Sequence, residues 1–183
     1  MDLNNSCDTF TENEEQLVLV DIRDKPQGFS GKIDVHRQAL LHRAFSVMIY
    51  NRSGQLLIQK RANTKYHSAR LWANSCCGHP RRNETPKDAA ERRLYEELGF
   101  TCKLSKVTEL SYFISLDCGM YENEYTHVFA AEYNGDVKPN AMEVSKIKWK
   151  KPDILKQKCN LDPESYAKWF RLYLGEYYHK IFI

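Results

Sequence analysis

The sequence predicts a single α+β domain, and three observations carry that reading. A strand–turn–strand pattern, a sharply punctuated helix and two further strand-like runs follow one another, with neither an internal repeat nor a linker between them. The length of 183 residues suits one domain.

Residues 1–16, MDLNNSCDTFTENEEQ, are polar and acidic and read as a loose tail, which leaves 17–183 as the domain. Residues 17–22 are strand-like, and the DKPQGFSG stretch behind them is turn-rich. A hairpin signature follows: a strand over 42–50, a turn at Asn51-Arg52-Ser53-Gly54 and a returning strand over 55–60. Residues 62–83 read as irregular. The helix behind them is bounded by Thr85 as cap, Pro86 at the first position, Asp88 in the manner of a capping box, and Gly99 as stop. Strands are expected at 107–116 and 121–133, turn chemistry at Asn134-Gly135-Asp136, and an aromatic-rich helix over 163–178.

Composition narrows the function. The 27 Lys+Arg stand against 24 Asp+Glu, a net +3, which argues against an acidic tail protein and against a dedicated nucleic-acid binder. The charge is uneven: residues 60–93 hold nine Lys/Arg against three Asp/Glu, or +6, so the rest of the chain carries 18 against 21, or −3. Apolar runs such as 44–50 fall far short of the ~20 residues of a membrane helix. No basic-then-apolar leader opens the sequence, six cysteines occur without a CxxC pair, and a cytoplasmic protein with reduced thiols is expected, with no protein partner evident.

The densest pattern runs from Gly78 to Phe100: Gly78, Glu84 after five residues, Arg92 after seven more, then Arg93, Leu94, Glu96, Glu97, Gly99 and Phe100. Arg93 and Glu97 are one helical turn apart and share a face, where a carboxylate can hold Mg²⁺ and a guanidinium can fork onto phosphate oxygens. An ordinary surface ion pair has the same spacing. Glu122 and Glu124 lie at i and i+2 of a strand-like run, so both carboxylates face one side of a sheet and need a cation to relieve their repulsion.

The Gly78–Phe100 pattern resembles the Nudix box, G-x5-E-x7-R-E-U-x-E-E-x-G-U, with one departure: Arg93 stands where the family has the first Glu after its Arg. The resemblance implies a Nudix-like α/β/α sandwich with a mixed central sheet. Nudix hydrolases use carboxylates of this helix to bind the metal ions that activate water, so an arginine there favours holding a diphosphate over cutting it. The stretch Trp72-Ala73-Asn74-Ser75-Cys76-Cys77-Gly78-His79-Pro80 looks like the W-x-N-S-x-C-G-H-P signature of type I isopentenyl-diphosphate isomerases. Residues 41–46 and 121–124 resemble that family's other two signatures.

The resemblance implies an isomerase that interconverts isopentenyl and dimethylallyl diphosphate by a 1,3-allylic proton shift. Cys77 and Glu124 would be its two acid/base groups, assisted by Tyr112. His36, His42, His79, Glu122 and Glu124 would form a metal site better suited to Mn²⁺ or Zn²⁺ than to Mg²⁺. His67, His127 and His179 fall outside that set. A Mg²⁺ would bridge Glu97, the main-chain carbonyl of Cys77 and the diphosphate, whose other contacts would be Lys32, Arg61, Lys65 and Arg93. A carbocation-like intermediate calls for a π-face, expected from Trp72, with Tyr166 or Trp169 as the C-terminal aromatic. Cys76 is left as a packing residue. The partner is therefore a small prenyl diphosphate, with neither nucleic acid nor membrane. The competing readings are a Nudix hydrolase, which the retained Glu96 favours, and a non-catalytic metal- or nucleotide-binding module.

Overall fold

The computed structural model describes residues 15–182. Fourteen of the first sixteen residues lie outside them, so the expected tail is represented only by Glu15 and Gln16, and Gln16 already opens a strand. The strands are β1 (Gln16–Val20), β2 (Pro26–Gly31), β3 (His42–Tyr50), β4 (Leu56–Arg61), β5 (Trp72–Ala73), β6 (Cys76–Gly78), β7 (Ser105–Ser115), β8 (Tyr121–Glu132) and β9 (Val144–Lys150). The helices are α1 (Lys32–Arg37), α2 (Pro86–Leu98), α3 (Pro152–Leu161), α4 (Lys168–Leu174) and α5 (Tyr178–Ile181), with a 3₁₀ turn at Pro163–Ser165.

The sheet is mixed. β3 runs parallel to β8 from His42↔Glu124 to Tyr50↔Glu132, while β8 pairs antiparallel with β7, β3 with β6, and β4 with β9. Side chains alternate across it with the two-residue period of a strand. Phe45, Val47 and Ile49 pack on one side with Ala89, Ala90, Leu94 and Leu98 of α2. Met48 and Val128 pack on the other with Leu155, Phe170 and Tyr173 of α3 and α4. The result is the expected helix–sheet–helix sandwich.

Helix α2 spans the residues its punctuation predicts: the Asp88 amide donates to Thr85 Oγ1 at 3.1 Å, and Gly99 ends it at φ 75°, a left-handed position that glycine takes without strain. Other expectations are corrected. The DKPQGFSG stretch is mostly β2, because pairing with β1 recruits it. The irregular region contains β5 and β6. The single C-terminal helix is broken: Tyr166 is extended and bridges Trp72, and the Ala167 amide donates to the Trp72 carbonyl at 2.9 Å, which halts the chain before α4. α1, α3 and β9 were not expected.

Candidate active site

Register places the central residues. His42 on β3, Glu124 on β8 and Tyr112 on β7 are direct cross-strand partners, a row of three side chains over the middle of the sheet. Glu122 stands two residues along β8 on the same face. Short α1 delivers His36, and the residue just beyond β6 delivers His79. Strand alternation then separates the tandem cysteines. Cys76 is fully buried against α2, while Cys77, opposite Ser46 on β3, faces a cavity of about 200 Å³ on the other side.

Three imidazoles and a carboxylate converge, with donor atoms of His36, His42, His79 and Glu122 all within 4.8 Å of one another. Nδ1 of His36 is 2.6 Å from the Lys32 carbonyl and Nδ1 of His42 is 2.8 Å from the Leu40 carbonyl. A ring whose Nδ1–H donates outward presents a bare Nε2 inward, the arrangement of a metal-bound histidine. His42 Nε2 is 3.2 Å from His79 Nε2, His79 Nε2 is 3.2 Å from Glu124 Oε1, and His36 Nε2 is 3.2 Å from Glu122 Oε2. His36 Nε2 and Glu122 Oε2 are nonetheless buried without a hydrogen-bond partner. Orphaned polar atoms around facing lone pairs fit a divalent cation.

Burial lowers His36, but the hydrogen bond and charge of Glu122 outweigh it and raise that ring above the ordinary imidazole value. Burial, then the charge on Glu124, pushes Glu122 up to about 7. Burial also opposes ionisation of Glu124, but the hydrogen bond and charge of His79 outweigh it and hold that carboxyl low. Burial, reinforced by His79, drives His42 down to about 3, so its ring stays neutral and available as a ligand.

Glu124 Oε2 accepts from the Tyr112 hydroxyl and, at 2.8 Å, from Thr126 Oγ1. The Tyr112 hydroxyl is 3.1 Å from that of buried Tyr173, which is 2.9 Å from Ser46 Oγ. Cys77 Sγ donates to Asn74 Oδ1 at 3.1 Å, which also accepts from the Trp169 indole N–H at 3.2 Å. Burial, then Glu97, pushes the Cys77 thiol up to about 12.

Lys32, Arg61, Lys65 and Arg93 all line the cavity. Each already has a counterpart. Lys32 pairs with Glu15 at 3.3 Å, Lys65 with Glu143, and Arg61 donates to the His67 carbonyl at 3.2 Å. Arg93 bonds Glu96 at 2.8 Å and Glu97 at 2.6 Å and lies 3.1 Å from Glu143. Glu97 is buried and accepts a second bond from Gln59 Nε2 at 2.8 Å.

One expected residue is not at the site. Trp72 is absent from the cavity wall; its pairing with Lys60 on β4 leaves its ring under Lys148 Nζ, 4.7 Å from the centroid. Of the three expected aromatics Trp169 is the one that lines the cavity, beside Tyr66 and Tyr112, while Tyr166 packs on Phe170. Sequence reasoning missed His67, Glu143 and Tyr173. Tyr173 was accessible in principle, since it follows Trp169 by four residues and shares its helix face.

The NUDIX domain model matches residues 40–173. An isopentenyl-diphosphate Delta-isomerase 2 of Photorhabdus laumondii is 48% identical over 158 residues, 86% of this chain and 89% of that one. An isopentenyl-diphosphate Delta-isomerase of Burkholderia multivorans is 41% identical over 157 residues, with 86% and 89% covered. Among solved structures, a protein of Deinococcus radiodurans superposes with a TM-score of 0.75 at 19% identity, covering 88% of this chain and 98% of that one. A MutT protein of Methanosarcina mazei superposes with a TM-score of 0.62 at 18% identity, covering 76% and 94%. At such identity these two speak for the fold alone.

Proposed function

The chain belongs to the Nudix family and, within it, to the isopentenyl-diphosphate Delta-isomerases, and from that premise we propose how its residues perform the reaction. The enzyme interconverts isopentenyl and dimethylallyl diphosphate, the precursors of isoprenoids. One proton is added at the terminal alkene carbon and one is removed from the carbon two bonds away, so the double bond moves and the composition is unchanged. Two acid/base groups reaching the same substrate are the minimum apparatus.

The observation that carries the assignment is the Tyr112–Glu124–His42 row, with Cys77 on the wall of the same cavity. Strands β6 and β7 flank the β3–β8 pair, so Cys77 and the Tyr112–Glu124 couple reach the substrate from different strands. Cys77 and Glu124 exchange the two protons. Tyr112 holds Glu124 Oε2 by its hydroxyl and relays a proton at that atom. The half-buried thiol is a proton carrier rather than a standing nucleophile, because desolvation and the nearby Glu97 charge keep it neutral. Trp169 brings an indole to the cavity wall, its ring already approached by the Arg61 guanidinium at 5.2 Å from the centroid, and supplies a π-system near the positive charge that builds at the tertiary carbon. Lys32, Arg61, Lys65 and Arg93 receive the diphosphate.

His36, His42, His79, Glu122 and Glu124 would hold Mn²⁺ or Zn²⁺, and Glu97 with the Cys77 carbonyl would hold the Mg²⁺ that accompanies the diphosphate. When bound, these ions supply the positive charge that lets Glu122 and Glu124 ionise side by side and that neutralises the diphosphate. We place the reaction in the cytoplasm: the five described cysteines form no disulfide. Among the described residues no helix is long and apolar enough to cross a membrane.

Incubation with isopentenyl diphosphate and Mg²⁺ in D₂O tests the reading. Deuterium enters dimethylallyl diphosphate without phosphate release, and Cys77→Ala and Glu124→Gln each abolish the exchange. Phosphate release without deuterium uptake makes the protein a hydrolase and overturns it.

A further inference from the structure

Of the three histidines that the sequence motifs leave outside the metal set, the fold brings one back. His67, in the loop between β4 and β5, is buried and lines the cavity. Its ring lies 5.8 Å from that of His36, and its Nε2 is 3.5 Å from Glu122 Oε1.

The two carboxylates of the site are built alike. Each turns one oxygen toward the imidazoles: Glu124 Oε1 toward His79 and His42, Glu122 Oε2 toward His36 and His42. Each turns the other oxygen away. For Glu124 that outer oxygen is held by Tyr112 and Thr126. For Glu122 the group that faces the outer oxygen is His67.

The ring has little freedom to do anything else. Its Nδ1 is 3.3 Å from Ser68 Oγ, Tyr66 stands edge-on at 4.4 Å between ring centroids, and Trp169 does so at 5.8 Å. Behind it Arg61 holds the His67 carbonyl at 3.2 Å, and the Ser68 amide, at φ 49°, points at the Asp117 carboxylate 3.3 Å away. With Ser68 Oγ donating to Nδ1, the single N–H of a neutral ring is left on Nε2, facing Glu122.

We propose that His67 is a positioning residue of the metal site, whose Nε2–H holds Glu122 Oε1 so that Oε2 is presented to the ion. The proposal rests on the reading that the His/Glu set binds a divalent cation. Outer partners of metal-bound carboxylates and histidines typically contribute 10- to 100-fold in metal affinity, and they do so without touching the ion.

Mn²⁺ alone is the probe, titrated into metal-stripped protein and followed by calorimetry and by its electron paramagnetic resonance signal. His67→Phe keeps a ring edge-on to Tyr66 and Trp169 but deletes the donor; His67→Gln keeps a donor at similar reach but deletes the ring. Expected are a 10- to 100-fold weaker Mn²⁺ dissociation constant for His67→Phe and one within about three-fold of wild type for His67→Gln. The reverse order, or wild-type affinity in His67→Phe, makes His67 a packing residue and overturns the proposal. Should His67→Phe fail to give a native circular dichroism spectrum, His67→Ala takes its place beside His67→Gln, and wild-type affinity in a folded His67→Ala overturns the proposal. His42→Ala separates the two levels. If it leaves the Mn²⁺ isotherm unchanged, the metal reading itself falls; if it abolishes binding while His67→Phe binds normally, only the role of His67 falls.

Discussion

Arg93→Met retains the aliphatic stem and deletes a guanidinium engaged on Glu96, Glu97 and Glu143. Glu97 matters most, being 4% exposed with Gln59 as its remaining donor. Removing one member of a buried ion pair costs about 3–5 kcal/mol, because the other charge is left stranded in a poor solvent. The Arg93 side chain is 20% exposed and Gln59 keeps its bond, so part of that charge stays compensated and about 2–3 kcal/mol is expected. For a chain of 183 residues this lowers Tm by about 4–12 °C.

Urea denaturation of the metal-stripped protein reads the effect as a shift of midpoint at constant slope. The companion is Arg93→Met with Glu97→Gln, which neutralises the stranded carboxylate and recovers about 1 kcal/mol or more of the loss. A wild-type midpoint for Arg93→Met, or a double variant that simply adds two penalties, refutes the reasoning. Arg93 would then act on the diphosphate alone.

Three further outcomes are expected. In Gly99→Ala a new Cβ lies 2.7 Å from the Lys138 carbonyl oxygen at φ +75°; the left-handed backbone costs about 1–2 kcal/mol and the overpacking about 1–3 kcal/mol more, read as a lowered thermal midpoint. A midpoint within a degree of wild type means that this cap is not under constraint. Cys76→Ala opens a small void against α2, costs about 1 kcal/mol in a urea melt and leaves isomerisation intact; loss of turnover equal to that of Cys77→Ala would reverse the roles of the pair. With its thiol pushed up to about 12, Cys77 is alkylated by iodoacetamide at pH 8 far more slowly than exposed Cys118, as peptide mass spectrometry will show, and prior labelling of Cys77 would contradict the burial argument.

What could be read from the chain depended on how local the cause was. Helix α2 is legible because Thr85, Pro86 and Gly99 act on their own neighbours. Strand β9 was missed because its Lys146, Lys148 and Lys150 look like a solvated run, and it becomes a strand by pairing with β4. Six-residue α1 is too short to stand on propensity and forms against β2 and β8. In the site, His42, Glu122 and Glu124 needed only strand register to meet. His67 could not be assigned, because its approach depends on a loop with left-handed residues at Ser68 and Arg70, φ 49° and 64°. Trp72 was misplaced for the same kind of reason: which aromatic meets the cavity is decided by the β4–β5 pairing and by the break before α4.

The two places that carboxylates gather differ in a way that bears on why this family member moves a proton. On α2 the acids of the Nudix box are already answered by arginines. Glu84 takes Arg92 at 2.7 and 2.8 Å, Glu96 takes Arg92 and Arg93, and Glu97 takes Arg93 and Gln59. A helix so neutralised carries less of the negative field that would gather several metal ions around a water, and Arg93, at the position where the box otherwise has a carboxylate, shares that neutralisation with Arg92. Among the described residues four buried side-chain atoms lack a partner: His36 Nε2 and Glu122 Oε2, on the face that carries Tyr112 and Glu124, and Gln59 Oε1 and Arg61 Nε, both on β4. On the proposed reading, an ion held by the His/Glu set would sit on the strand face beside Tyr112 and Glu124, while the ion at Glu97 would accompany the diphosphate. A cation there would place positive charge beside the groups proposed to exchange protons, and Lys32, Arg61, Lys65 and Arg93 would hold the diphosphate.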